Sequence, residues 1–90
     1  MASGNEPKPF ESVINAETTD LNNCTTTGFY SWGENSANNP MPGVTANGNL
    51  LVINGVQFLH QICFYSNGDI YMRRRNLGGS WNDWRHILLS

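Results

Sequence analysis

The sequence predicts a small, strand-rich α+β domain: an antiparallel β-meander carrying one short helical turn. Three observations point there. Asn-Gly dipeptides stand at Asn47-Gly48, Asn54-Gly55 and Asn67-Gly68, and both residue types tolerate the positive φ angles of hairpin turns. Between and after them run short stretches of strand-forming residues, at 50–53, 56–65 and 69–75. No segment shows the sustained i, i+3, i+4 apolar spacing of an amphipathic helix. Ninety residues make one domain with a modest core, so a single sheet with one covering layer is what such a chain can build.

Taken in order, the chain opens on Met1-Ala2-Ser3-Gly4, which reads as an initiator and spacer, and residues 1–9 are expected to be a linker or disordered. A single domain is expected over 10–90. Asp20-Leu21-Asn22-Asn23-Cys24 has the form of a capped helical turn, with Asp20 placed to accept amide hydrogens. Residues 28–32 read as a short strand, and 34–44, with Asn38-Asn39-Pro40-Met41-Pro42-Gly43, as a long irregular loop crossing to the meander.

The register of the last hairpin follows from its turn. Tyr65-Ser66-Asn67-Gly68-Asp69 suits a three-residue loop with a left-handed glycine. Phe64 then faces Ile70, Ile62 faces Met72, Gln61 faces Arg73 and His60 faces Arg74. A two-residue turn would set Ile62 against Arg73, so the first register, which puts like with like, is preferred. It gathers Phe58, Ile62, Phe64, Ile70 and Met72 on one face, expected to be the core. The opposite face carries Gln61, Cys63, Tyr65, Tyr71, Arg73 and Arg75, a mixture that calls for a partner to cover it. Trp84 is expected to begin a closing strand and to fill a gap beside the core.

Composition narrows the function classes. Charged residues are 13% of the chain, about half the roughly 25% of an ordinary globular domain. Lys+Arg 5 against Asp+Glu 7 gives no polyelectrolyte signal, which argues against nucleic acid or a membrane surface as partner. No apolar run is long enough for a membrane span, and no signal-peptide pattern is present. Cys24 and Cys63 make no disulfide framework and read as buried free thiols, with a bond between them left open. No nucleophile motif accompanies His60 or His86, and the carboxylates show no pairing suited to acid and base roles. The expectation is therefore a non-enzymatic domain with no metal site and no cofactor.

What the chain offers instead lies in its last third, Tyr71-Met72-Arg73-Arg74-Arg75 followed by Gly78-Gly79-Ser80-Trp81-Asn82-Asp83-Trp84-Arg85. Aromatic stacking faces stand beside planar hydrogen-bonding groups, which suits holding a sugar-like or anionic molecule. Trp32, Arg74, Trp81 and Asn82, at strand ends and turns, are the candidate ligand-binding residues. Gln61, Tyr71 and Arg73, on the mixed face, are the candidate subunit interface.

Read in order, the landmarks resemble the pyocin knob domain of phage and tailocin tail fibres. Asp20-Leu21-Asn22 followed by Gly28-Phe29-Tyr30 is similar to that family's opening. Asn39-Pro40, Pro42-Gly43, Gly48 and Leu50-Leu51-Val52 resemble its middle, and Gln61, Tyr71 with Arg73, and Trp81-x-x-Trp84-Arg85 its ending. The resemblance covers residues 19–87, and the chain departs from the pattern around 54–59, where its hairpin is short. It implies a knob at the distal end of a homotrimeric fibre, carried on a virion and used to contact a bacterial surface glycan such as lipopolysaccharide or a wall polymer. Two other roles fit the same resemblance: a trimerisation or capping domain with no ligand of its own, and an accessory module of a depolymerase.

Overall fold

The computed structural model of the protein describes residues 13–76 and 78–88; the linker expected over 1–9 lies outside them. Six strands form one sheet in the order of the chain: β1 (Ile14–Asn15), β2 (Gly28–Gly33), β3 (Asn47–Asn54), β4 (Phe58–Tyr65), β5 (Ile70–Asn76) and β6 (Arg85–Ile87). From β2 to β6 every neighbouring pair is antiparallel. The sheet is nonetheless mixed, because β1 pairs with β2 in parallel. That strand went unanticipated. Its helical content is one 3₁₀ turn, Leu21–Asn23, so the domain is better described as strand-rich than as α+β.

A parallel pair cannot be joined by a tight turn; the chain must cross over a face of the sheet to return. Here the crossover contains the 3₁₀ turn. Asp20 caps it as its composition requires, accepting from the Asn22 amide at 2.8 Å. The Leu21 amide donates to the Ala37 carbonyl at 2.9 Å, which ties the crossover to the long loop before β3. Crossover and loop together form the layer that covers one face of the meander.

The β4–β5 hairpin has the expected register, with Gln61 opposite Arg73, Ile62 opposite Met72 and Phe64 opposite Ile70. Its turn closes through Gly68 N to Tyr65 O and Tyr65 N to Asp69 O, both at 2.8 Å, with Gly68 left-handed at φ 97°. Asn47-Gly48 is not a turn: both residues lie in β3. A Cβ at Gly48 would run into the Phe64 carbonyl and press on the Trp32 indole, so this glycine serves a close approach of strands.

The two faces were identified correctly as sets and assigned the wrong way round. Leu50, Val52, Leu59, Gln61 and Cys63 are buried against Leu21, Cys24, Tyr30 and Trp32. Phe58 and Phe64, expected in the core, are each 38% exposed, and Ile53 is 44% exposed. The physical reason is the crossover. Its short irregular backbone leaves carbonyls that no strand can satisfy, and Gln61 satisfies them: Nε2 donates to Leu21 O at 2.6 Å and to Cys24 O at 2.9 Å. A face bearing an amide at that position can dock a turn; an all-apolar face cannot.

This corrects the expected subunit interface. Gln61 is 0% and Arg73 6% exposed within a single chain, so neither has surface to offer a second copy. Tyr71 is half-buried and stacks on His86 at 4.6 Å between ring centroids. Cys24 and Cys63 are buried free thiols. Burial pushes both above the ordinary thiol range, with Asp20 adding to the shift at Cys24.

Candidate functional site

Strand β5 runs through Arg73-Arg74-Arg75, and alternation sends Arg73 and Arg75 to the covered face and Arg74 to the other. Beyond it the chain turns at Gly78, left-handed at φ 74°, with Gly79 N donating to Asn76 O at 2.8 Å. The returning segment pairs briefly with β5: Trp81 bridges Arg75, and Asn82 N donates to Arg74 O at 2.9 Å. The bridge fixes the side on which the indole falls. Trp81 shares the face of the two arginines, and Trp84 follows before β6 begins.

The result is an open cleft of about 680 Å³ between the 3₁₀ turn, the long loop and the 78–84 segment. The Arg73 guanidinium carbon lies 4.3 Å from the Trp81 ring centroid and 4.4 Å from that of Trp84. Arg75 approaches Trp81 at 5.2 Å. Arg73 Nε donates to Gln61 Oε1 at 2.9 Å, so the amide that anchors the crossover also anchors the arginine. Trp84 Nε1 donates to Asn38 O at 2.8 Å, and Trp81 Nε1 to Asn22 O at a longer 3.4 Å. Trp84 thus ties the closing segment to the long loop and packs half-buried at the core's edge, as well as walling the cleft.

Electrostatically the cleft is built around a buried cation. Burial pulls Arg73 down to about 10, still protonated at neutral pH. Among the described residues no carboxylate forms an ion pair with it; Asp20 acts on it only at a distance. The hydrogen bonds from Asn38 and from the Asn22 amide hold Asp20 below its ordinary carboxylate value. Three buried side-chain atoms lack any hydrogen-bond partner among the described residues: Asn22 Oδ1, Arg73 Nη2 and Arg75 Nε. All three residues line this one cleft.

Of the four candidate ligand residues, the cleft brings together Trp81 and Asn82. Trp32 is excluded from ligand contact: it is 0% exposed, its Nε1 donates to Asn49 O at 3.2 Å, and its ring packs against Tyr65. Arg74 is exposed on the opposite face, with its guanidinium 5.0 Å from the Phe58 ring centroid. There it lines a smaller cleft of about 400 Å³ with Met72, Arg85 and Ile87, and with Asn82, which borders both clefts. Arg75 and the asparagines of the 3₁₀ turn and long loop were not anticipated as site residues. The shared parity of Arg73 and Arg75 on one strand was the signal for the arginine; nothing in the sequence tells which loop the asparagines face. Among the described residues no three His, Cys, Asp or Glu side chains gather to hold a metal ion. No protein-family model, curated protein or solved structure matches the chain.

Proposed function

We propose that the chain is a non-catalytic recognition module that binds a bacterial surface glycan, lipopolysaccharide or wall polymer, in the Arg73–Trp81–Trp84 cleft. The observation that carries the reading is the coincidence of indole walls with three buried polar atoms that have no partner among the described residues, an acceptor on Asn22 and donors on Arg73 and Arg75. Sugar hydroxyls donate and accept, so one sugar unit can satisfy both kinds, and its apolar face matches an indole. Leaving such groups buried and unpaired costs about 1–3 kcal/mol each, a cost that a bound sugar would offset. Trp81, held by a hydrogen bond of 3.4 Å, is the wall that yields most easily to admit one.

The resemblance to tail-fibre knobs supplies the setting: the distal end of a fibre on a virion, made in the host cytoplasm, with weak single-site affinity raised by several copies. The chain's other partner in that setting is itself, as a homotrimer. Since Gln61 and Arg73 are buried, the surface three copies would bury is the uncovered face with Phe58, Phe64 and Ile53. A trimerisation or capping role without a ligand is the second reading, favoured by that exposed apolar face.

Trp81→Ala is expected to leave the domain folded and to lower adsorption to the host cell by about tenfold or more, measured by co-sedimentation of labelled protein with cells. Light scattering of the same variant is expected at three times the chain mass. Undiminished adsorption by a folded Trp81→Ala would sink the cleft assignment, and a monomer at every concentration would remove the trimer.

A further inference from the structure

We infer that the cleft selects an acidic glycan, one carrying a carboxylate or phosphate, and that Arg73 and Arg75 together form the anion-recognising wall. The inference rests on the glycan reading above and adds the charge of the ligand to it.

The two arginines stand two residues apart on β5, on the same face, roughly 7 Å apart along the strand. Each holds one buried guanidinium nitrogen without a partner among the described residues. Arg73 is 6% exposed and spends one hydrogen bond on Gln61, while its Nη2 and the Nε of Arg75 have no acceptor among the described residues. A guanidinium fork matches the two oxygens of a carboxylate or phosphate, and such charge-assisted bonds are about twice as strong as neutral ones. A neutral sugar would satisfy the donors but leave the buried charge of Arg73 offset only by the two indole faces and by Asp20 at a distance.

The charge is local rather than general. The chain carries a formal net charge of −2, so nothing in its overall field draws anions. Within the cleft two cations face one acidic side chain, Asp83, which is exposed. The indoles beside Arg73 keep water from its faces, and attraction to a poorly solvated charge exceeds that to one in open solvent. Asp83 repels anions from the exposed mouth, which favours a ligand whose charge reaches in past it to the arginines.

Two matched pairs of probes test this by calorimetry and indole fluorescence on the intact chain. One pair is trigalacturonate and its carboxyl-reduced trigalactose; the other is a mannose-6-phosphate-terminated trimannose and the same sugar after phosphatase treatment. In at least one pair the acidic member is expected to bind about tenfold tighter or more. That advantage should shrink as salt rises from about 0.05 to 0.5 M. Arg75→Gln, checked for folding by circular dichroism, should abolish the advantage, and Arg75→Lys should restore part of it. The pair that discriminates identifies the source of the charge. Equal binding of acidic and neutral members would overturn the inference and leave the glycan reading standing. Binding of no member of either pair would overturn both.

Discussion

Trp32→Ala is expected to destabilise the domain by about 3–5 kcal/mol, the range for removing a fully buried large aromatic. Trp32 is 0% exposed, and its ring sits where β2, β3 and β4 converge. It packs against Tyr65 at 6.3 Å between centroids, beside the glycine whose missing side chain makes room for it. Its Nε1 donates to the Asn49 carbonyl, so truncation leaves both a cavity and an unpaired acceptor. Native domains are held by about 5–15 kcal/mol, and small ones lie low in that range, so the variant should be largely unfolded at ambient temperature. Urea titration followed by circular dichroism measures it. A Trp32→Ala variant as stable as the wild type would mean that this ring is not in the core. The half-buried Trp84, which packs beside the core as expected from the sequence, should cost less on truncation than the fully buried Trp32.

Gln61→Leu is the second large effect, expected at roughly 3–5 kcal/mol. The substitution nearly conserves volume and adds apolar character in a buried position, so hydrophobicity alone predicts a neutral or stabilising change. The hydrogen bonds predict the reverse. Leu21 O and Cys24 O lose their donor, and Arg73 Nε loses its acceptor. Each group left buried and unsatisfied costs about 1–3 kcal/mol, more for the charged one. The crossover should loosen with the cleft, since one side chain joins both to the sheet. Thermal melts and amide exchange at Leu21 and Cys24 measure the two consequences. Wild-type stability with unchanged exchange would show that the turn docks by other means.

These expectations divide along the line between what was legible in the sequence and what was not. The meander, the Gly68 turn and the pairing of Gln61 with Arg73 were readable because hairpin geometry and period-two alternation are local rules. Which face is covered is not local. It depends on where the 3₁₀ crossover and the 34–46 loop lie, and hydropathy pointed to the wrong face because Phe58, Ile62 and Phe64 are more apolar than Gln61, Cys63 and Arg73. The clue was the buried-pair chemistry: an amide opposite an arginine on one face can satisfy both a cation and stray carbonyls. The same non-locality split the site. Trp81 and Asn82 were readable as an exposed turn beside an arginine-rich strand. Asn22 and Asn38 join them only because the crossover's 3₁₀ turn and the 34–46 loop both lie against the end of β5. Trp32 was misread because a tryptophan at a strand end before a polar loop has the same local pattern whether it faces solvent or the core. Ile14–Asn15 was missed because two residues of parallel strand carry no periodicity.

The central claim is that the cleft between Trp81 and Trp84 is the recognition surface, and the three indole N–H resonances test it within one spectrum. The chain contains three tryptophans: two wall the cleft, and Trp32 is buried in the core as an internal reference. Titration of the ¹⁵N-labelled protein with oligosaccharides released from the host envelope should shift the Trp81 and Trp84 indole signals together with the Arg73 and Arg75 Nε–H signals, while Trp32 stays in place. Binding that leaves those four signals unmoved, or shifts only residues of the Phe58–Phe64 face, would contradict the account.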